Sequence, residues 1–216
     1  MNSQSLNKLA NKVLVIGGST YNPCTPCRIR YALEYTNFLE NWAVVFANHD
    51  YFHLSSQQHQ NKIHHEFYNL PIILVEQLKT YSLNRGFIYV LPECTDFNIK
   101  QQNDGIEIDT VRADGSRLCI NKVMKDFAIN QPKIQVAGLI ICGRFKDGAE
   151  GLKEIKDKGG ITAVQKSDEC YHPDIALYNN DTDSMPKSAL KLCSHQEVSL
   201  EYPPRTTTLT EWLCTL

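Results

Sequence analysis

Along this chain the apolar residues gather into short runs, and helix-patterned polar stretches separate them. "VLVIGG" (13–18) is β-branched, uniformly apolar and closed by glycines, which predicts a buried strand. "AVVFAN" (43–48), "PIILVE" (71–76), "FIYVLP" (87–92), "IQVAGLIIC" (134–142) and "ITAVQ" (161–165) predict further strands, the run at 134–142 being the strongest. After the first strand, Ile29, Ala32, Leu33 and Thr36 recur on one helical face, with Thr25 as the expected N-cap and Pro26 as the first helical residue. "NKIHHEFYNL" (61–70) predicts a short helix, and others are expected over roughly 119–130, over 148–158 and from Met185 onward. The helix at 148–158 should stop at Gly159-Gly160, a C-cap signal. "NDGIEIDTVRADGS" (103–116) reads as a hairpin-like excursion with turns at Asp104-Gly105 and Asp114-Gly115. Strands that are apolar throughout, taking turns with helices, imply an α/β fold: a doubly wound, mostly parallel sheet with helices on both faces.

Length and composition narrow the function classes. The 216 residues suffice for one well-buried domain, and no linker, repeat or low-complexity tract divides them, so a single domain over 1–216 is expected. The net charge is −2 and basic residues are not clustered, which argues against nucleic acid. The longest apolar run is far short of the ~20 residues needed to cross a bilayer, and the polar N-terminus lacks a signal-peptide core. A cytoplasmic protein without direct membrane insertion is expected. Its eight cysteines then read mostly as reduced thiols. Only Cys24 and Cys27 pair closely, in C-T-P-C, and no second CxxC exists for a four-cysteine zinc site; no metal is expected.

Ligands of open parallel sheets bind beyond the carboxyl ends of the strands. Three candidate groups follow strands here: Ser19 after "VLVIGG", His49 after "AVVFAN", and Asp147 after "VAGLIIC" and a short loop. A hydroxyl, an imidazole and a carboxylate at one sheet edge can form a serine triad, in which the base takes the hydroxyl proton and the acid fixes the base's tautomer. Each has a plainer reading. Ser19 could satisfy a loop amide, His49 could be one surface histidine among seven, and Asp147 is well placed to N-cap the following helix.

The chain resembles the catalytic domain of the chemotaxis protein-glutamate methylesterases (CheB-type). "IGGST" (16–20) is similar to that family's I-G-A-S-T-G-G, "NHD" (48–50) to Q-H-M, and "IICGRFKDGAEGL" (140–152) to L-T-G-M-G-x-D-G-A-x-G-L. "GGITAVQ" (159–165) resembles G-G-x-T-x-x-Q, "MPKSA" (185–189) resembles M-P-R-x-A, and "VEQLKTYSLNRGFIYVLP" (75–92) aligns with the family's middle segment. The match places the domain core at about 13–192. The resemblance implies Ser19 as nucleophile, His49 as general base, Asp147 as orienting carboxylate, and Thr20 beside the nucleophile. It also implies an oxyanion site from the loop that carries Arg144 and Phe145, and no cofactor. The implied reaction is hydrolysis of glutamyl methyl esters, the implied partner a methylated chemoreceptor or other signalling protein, and the implied state a monomer.

Several positions depart from the family pattern. The two glycines after S-T are Tyr21 and Asn22, so the resemblance implies Tyr21 at the pocket mouth; the second glycine of the oxyanion loop is Phe145; R-P-S-[IV]-D becomes "RLCIN" (117–121); A-P-G becomes "LPE" (91–93). Only about a dozen residues precede the first strand, so control by a receiver domain in the same chain is not expected. These changes keep open a degenerate methylesterase-like domain that only binds a signalling partner. The C-T-P-C pair keeps open a thiol-disulfide oxidoreductase, because a CxxC at a helix start has a lowered thiol pKa.

Overall fold

The predicted strands assemble side by side. The computed structural model describes residues 9–19, 24–49, 57–92, 95–102, 105–112, 118–130, 133–143, 146–170, 184–200 and 208–216. In chain order they form β1 (Lys12–Gly18), α1 (Cys24–Tyr35), β2 (Ala43–Asn48), α2 (Gln57–Glu66), β3 (Ile72–Leu74), β4 (Thr80–Ser82), β5 (Ile88–Leu91), β6 (Thr95–Gln102) and β7 (Gly105–Arg112). Then follow α3 (Ile120–Ile129), β8 (Gln135–Ile140), α4 (Ala149–Asp157), β9 (Ile161–Gln165), α5 (Met185–Leu192), β10 (Gln196–Val198) and α6 (Leu209–Leu213).

Seven strands make a parallel sheet in the order β10-β9-β8-β1-β2-β5-β3. The period of two along each strand sorts side chains to opposite faces. Val13 and Val15 of β1, with Val45 and Ala47 of β2, join Val123 and Phe127 of α3 and Leu152 and Ile155 of α4 on one side. Leu14 and Ile16 of β1, with Val44 and Phe46 of β2, join Ile29 and Leu33 of α1, Ile63 of α2 and Trp212 of α6 on the other. Both faces are therefore buried, which is why the strands carry no polar alternation. The chain leaves β1 toward β2 on one side and later returns as β8 on the other. The switch point thus lies at β1, and open parallel sheets bind their ligands beyond the strand ends at such a point.

Several elements differ from the sequence expectation. Helix α1 starts at Cys24, so Thr25 is not its N-cap; Thr25 and Pro26 sit inside the first turn, where a missing proline N–H costs no helical bond. Helix α2 lies about one turn earlier than predicted and ends before Phe67, with Asn69 in the left-handed region. The excursion at 103–116 is only half of a larger unit. Its strand β7 pairs antiparallel with β6 from Thr95↔Arg112 to Gln102↔Gly105, and with β4 on its other edge. Polar β6 and short β4, β10 and α6 carry too little apolar periodicity to be read in advance. Asp104 and residues 113–117 lie outside the described residues. The stop of α4 is as expected: Gly159 has φ 90°, and the amides of Gly159 and Gly160 donate to the carbonyls of Lys156 and Ile155, a Schellman motif.

Candidate active site

Ser19 and His49 leave neighbouring parallel strands at the same level. Gly18 pairs with Asn48 in the β1–β2 register, and the next amide along β2, that of His49, donates to the Gly18 carbonyl at 3.0 Å. The Ser19 amide turns the other way and donates to the Cys142 carbonyl just past β8, also at 3.0 Å. Gly143 follows, and only glycine fits there: a Cβ would lie 2.2 Å from Met185 Sδ and 2.9 Å from the Ser19 nitrogen. The Met185 amide donates to the Gly143 carbonyl at 3.0 Å, so α5 begins against the same loop.

The imidazole of His49 has a defined tautomer. Its Nε2 lies 2.8 Å from the Leu118 carbonyl oxygen and 3.1 Å from Asp147 Oδ2. Both are acceptors, so Nε2 must carry the proton they share. The neutral ring therefore keeps its lone pair on Nδ1. Both side chains are about three-quarters buried, His49 at 22% exposure and Asp147 at 23%.

Asp147 is held by more than the histidine. Its Oδ2 accepts from the Ile120 amide at 2.8 Å, and its Oδ1 from the amides of Asn121 at 3.0 Å and Gly148 at 2.9 Å. Burial pushes its carboxyl pKa up, but the bonds from His49, Asn121 and Ile120 outweigh that and hold it below its ordinary value. The sequence reading of Asp147 as a cap of its own helix is thus corrected. The N-cap of α4 is Gly148, with φ 88°, and Asp147 reaches instead to the first amides of α3. Asn121 returns the favour, its Oδ1 accepting from the Gly151 amide in the first turn of α4 at 2.9 Å. Neither N-cap residue, Cys119 nor Gly148, caps its own helix through a side chain. The two helix starts are satisfied crosswise, which fixes the carboxylate to both. Cys119 Sγ also lies 3.8 Å from Asp147 Oδ1, and burial, with the carboxylate close by, raises its thiol pKa.

Thr20, Tyr21, Arg144 and Phe145 lie outside the described residues. Two groups at the site had no role that the sequence assigned. The Leu118 carbonyl is main chain, so no residue type announces it. Gln165, at 2% exposure, accepts from the Cys142 amide at 2.9 Å; it stands in a quoted motif without an assigned role. The expectation of mostly reduced cysteines is corrected at one place: Cys142 and Cys170 form a disulfide across a separation of 28 residues, a spacing that gives no signal. Cys24 and Cys27 form no disulfide and line a cavity of about 720 Å³ between α1 and α6, to which Ser19, His49 and Asp147 do not contribute. Among the described residues no cluster of histidine, cysteine or carboxylate fits a metal ion, and no helix is long and apolar enough to cross a membrane.

Known proteins share this architecture. The CheB methylesterase family profile matches residues 52–202. A protein-glutamate methylesterase/protein-glutamine glutaminase of Archaeoglobus fulgidus is 30% identical over 111 residues, half of this chain. That stretch is 28% of the relative's length, so the chain spans well under two thirds of it. The crystal structure of the Thermotoga maritima CheB methylesterase catalytic domain superposes with a TM-score of 0.72 at 20% identity, covering 96% of this chain and 99% of that one. At that identity the likeness establishes the fold.

Proposed function

Because the chain belongs to the CheB methylesterase family, we propose that it hydrolyses glutamyl methyl esters of a methylated chemoreceptor or related signalling protein. Ser19 is the nucleophile, His49 the general base and Asp147 the carboxylate that orients it. The observation that carries this reading is the imidazole whose Nε2–H is committed to Leu118 and Asp147. That commitment leaves Nδ1 as a base for the hydroxyl of Ser19, whose strand lies next to that of His49.

The steps follow from this arrangement. Ser19 Oγ attacks the ester carbonyl carbon while its proton passes to His49 Nδ1. The imidazolium formed is stabilised by the Asp147 charge, which its depressed pKa keeps ionised at neutral pH. The oxyanion would be met by amides of the loop that carries Arg144 and Phe145, where a backbone donor survives a side-chain change. Collapse returns the proton to the methoxy group, methanol leaves, and water attacking the acyl-enzyme by the same route releases glutamate. Thr20 and Tyr21 would border the entrance.

Methanol release from a methylated chemoreceptor fragment tests the proposal. Wild-type protein should release it and Ser19→Ala should not. A second reading, a non-catalytic binding module, is favoured by Tyr21, Asn22 and Phe145 in place of family glycines. A serine-directed fluorophosphonate separates the two: an active triad is labelled covalently, a binding module is not.

A further inference from the structure

We propose that Gln165 is a positioning residue for the nucleophile, acting through the Cys142 backbone; the proposal rests on the hydrolase reading above. The β8–β9 ladder stops at Ile140↔Val164. Beyond it the chain after β9 turns to β10, where the Lys166 amide donates to the Val198 carbonyl at 2.9 Å. The chain on the β8 side bends at Cys142. Its N–H faces β9 and its C=O faces β1, so one residue bridges two strands that are not neighbours. The N–H is met by the Gln165 side-chain oxygen at 2.9 Å, and the C=O accepts the Ser19 amide at 3.0 Å.

Gln165 therefore does with its side chain what a continued strand would do with its backbone. It is almost wholly buried, and Cys142 is 7% exposed, so water cannot substitute easily at the Cys142 amide. Without the amide oxygen the bend at Cys142 relaxes toward another acceptor. The carbonyl that anchors Ser19 moves with it, as does the start of the loop at Gly143. Asp147 ends that loop but is held by the Ile120 and Asn121 amides of α3, and His49 follows β2, so both keep their places. The defect expected is one of nucleophile placement, with the base unchanged, and a displacement of about 1 Å costs on the order of 10²-fold in rate.

The test compares wild type, Gln165→Leu and Gln165→Glu, the last keeping an oxygen at the same reach. Three quantities are read: the fluorophosphonate labelling rate against pH, the melting temperature, and amide hydrogen exchange in the peptides holding Ser19 and Cys142. The expected result is labelling of Gln165→Leu slowed on the order of 10²-fold with the midpoint of its pH profile unmoved. Exchange should be faster at Ser19 and Cys142, and Gln165→Glu should restore both. A Gln165→Leu protein that melts lower but labels at the wild-type rate overturns the proposal, since Gln165 would then serve stability alone. A shifted pH midpoint overturns it too, because the effect would run through His49. If wild type itself resists labelling, the hydrolase reading fails. Exchange then decides Gln165 separately: unchanged protection of Ser19 in Gln165→Leu rejects the linkage, and lost protection sustains it.

Discussion

Replacing Asp147 by asparagine alters one atom and one charge, yet it sets the side chain against its surroundings. The carboxylate meets four N–H donors, from Ile120, Asn121, Gly148 and His49. Asparagine has one acceptor oxygen, so its NH₂ must face two of them. The arrangement that saves most keeps the oxygen at Asn121 and Gly148 and turns the NH₂ toward Ile120 and the imidazole. His49 Nε2–H then faces the NH₂ donor while the Leu118 carbonyl still accepts at 2.8 Å, so the tautomer is no longer fixed and the Nδ1-protonated form, which is no base, gains population. A tautomer error of this kind costs about 10⁴-fold in turnover. The fold loses as well: an orphaned Ile120 amide costs about 1 to 3 kcal/mol, and the lost charge at the start of α3 about 0.3 to 1 kcal/mol. Together these lower the melting temperature by roughly 3 to 15 °C for a chain of this size. Fluorophosphonate labelling and thermal unfolding measure the two effects on one sample. Labelling of Asp147→Asn at the wild-type rate, with stability reduced, would refute the argument and leave Asp147 as a helix cap only.

Other expectations can be checked in parallel. Ser19→Ala and His49→Ala should each abolish ester hydrolysis, and the double mutant should be little worse than either, because a triad fails as a unit; multiplying losses would contradict it. Hydrolysis should rise with pH through the range where imidazoles lose their proton, roughly 6 to 8, since the base at Nδ1 must be neutral; a flat profile there argues against His49. Exchanging both Cys24 and Cys27 for serine should leave hydrolysis nearly unchanged, and the wild type should not reduce insulin disulfides above background; dithiol-dependent reduction lost in the double mutant would revive the oxidoreductase reading. His195 Nδ1 is 2.8 Å from Thr162 Oγ1, and burial, aided by the Lys156 charge, lowers its pKa from 6.5 to about 4. The unfolded chain then binds that proton first as the pH falls, so stability should decline from about pH 6.5 to about pH 4. Denaturation across this window with His195→Leu should show a shallower decline; an unchanged slope would exclude the histidine as its source.

The sheet was legible because its strands are buried on both faces. "AVVFAN" is β2 residue for residue, and "ITAVQ" is β9. The stop of α4 was legible because two glycines mark a backbone that other residues resist. What escaped was carried by main chain or by distance. The Leu118 carbonyl at His49, the disulfide between Cys142 and Cys170, and the crosswise capping of α3 and α4 join segments whose approach only the fold determines. Asp147 shows the limit well. Its place before a helix suggested a local cap, and its carboxylate instead serves a helix that begins 27 residues earlier.

The central place of β1 has a consequence for how the chain is made. Its inner edge is covered by β8, with Lys12 against Gln135, more than a hundred residues further on. At about 5 to 20 residues per second of synthesis, the nascent β1–β2 pair waits roughly 5 to 18 s with one apolar edge open, from Asn48 to Ile140. The strand that leads to Ser19 thus emerges well before β8 and stays open until β8 arrives. A slow ribosome or a truncated message would leave a sticky open-edged fragment that calls for a chaperone, and no product that stops before Asp147 could assemble the nucleophile with its base and acid.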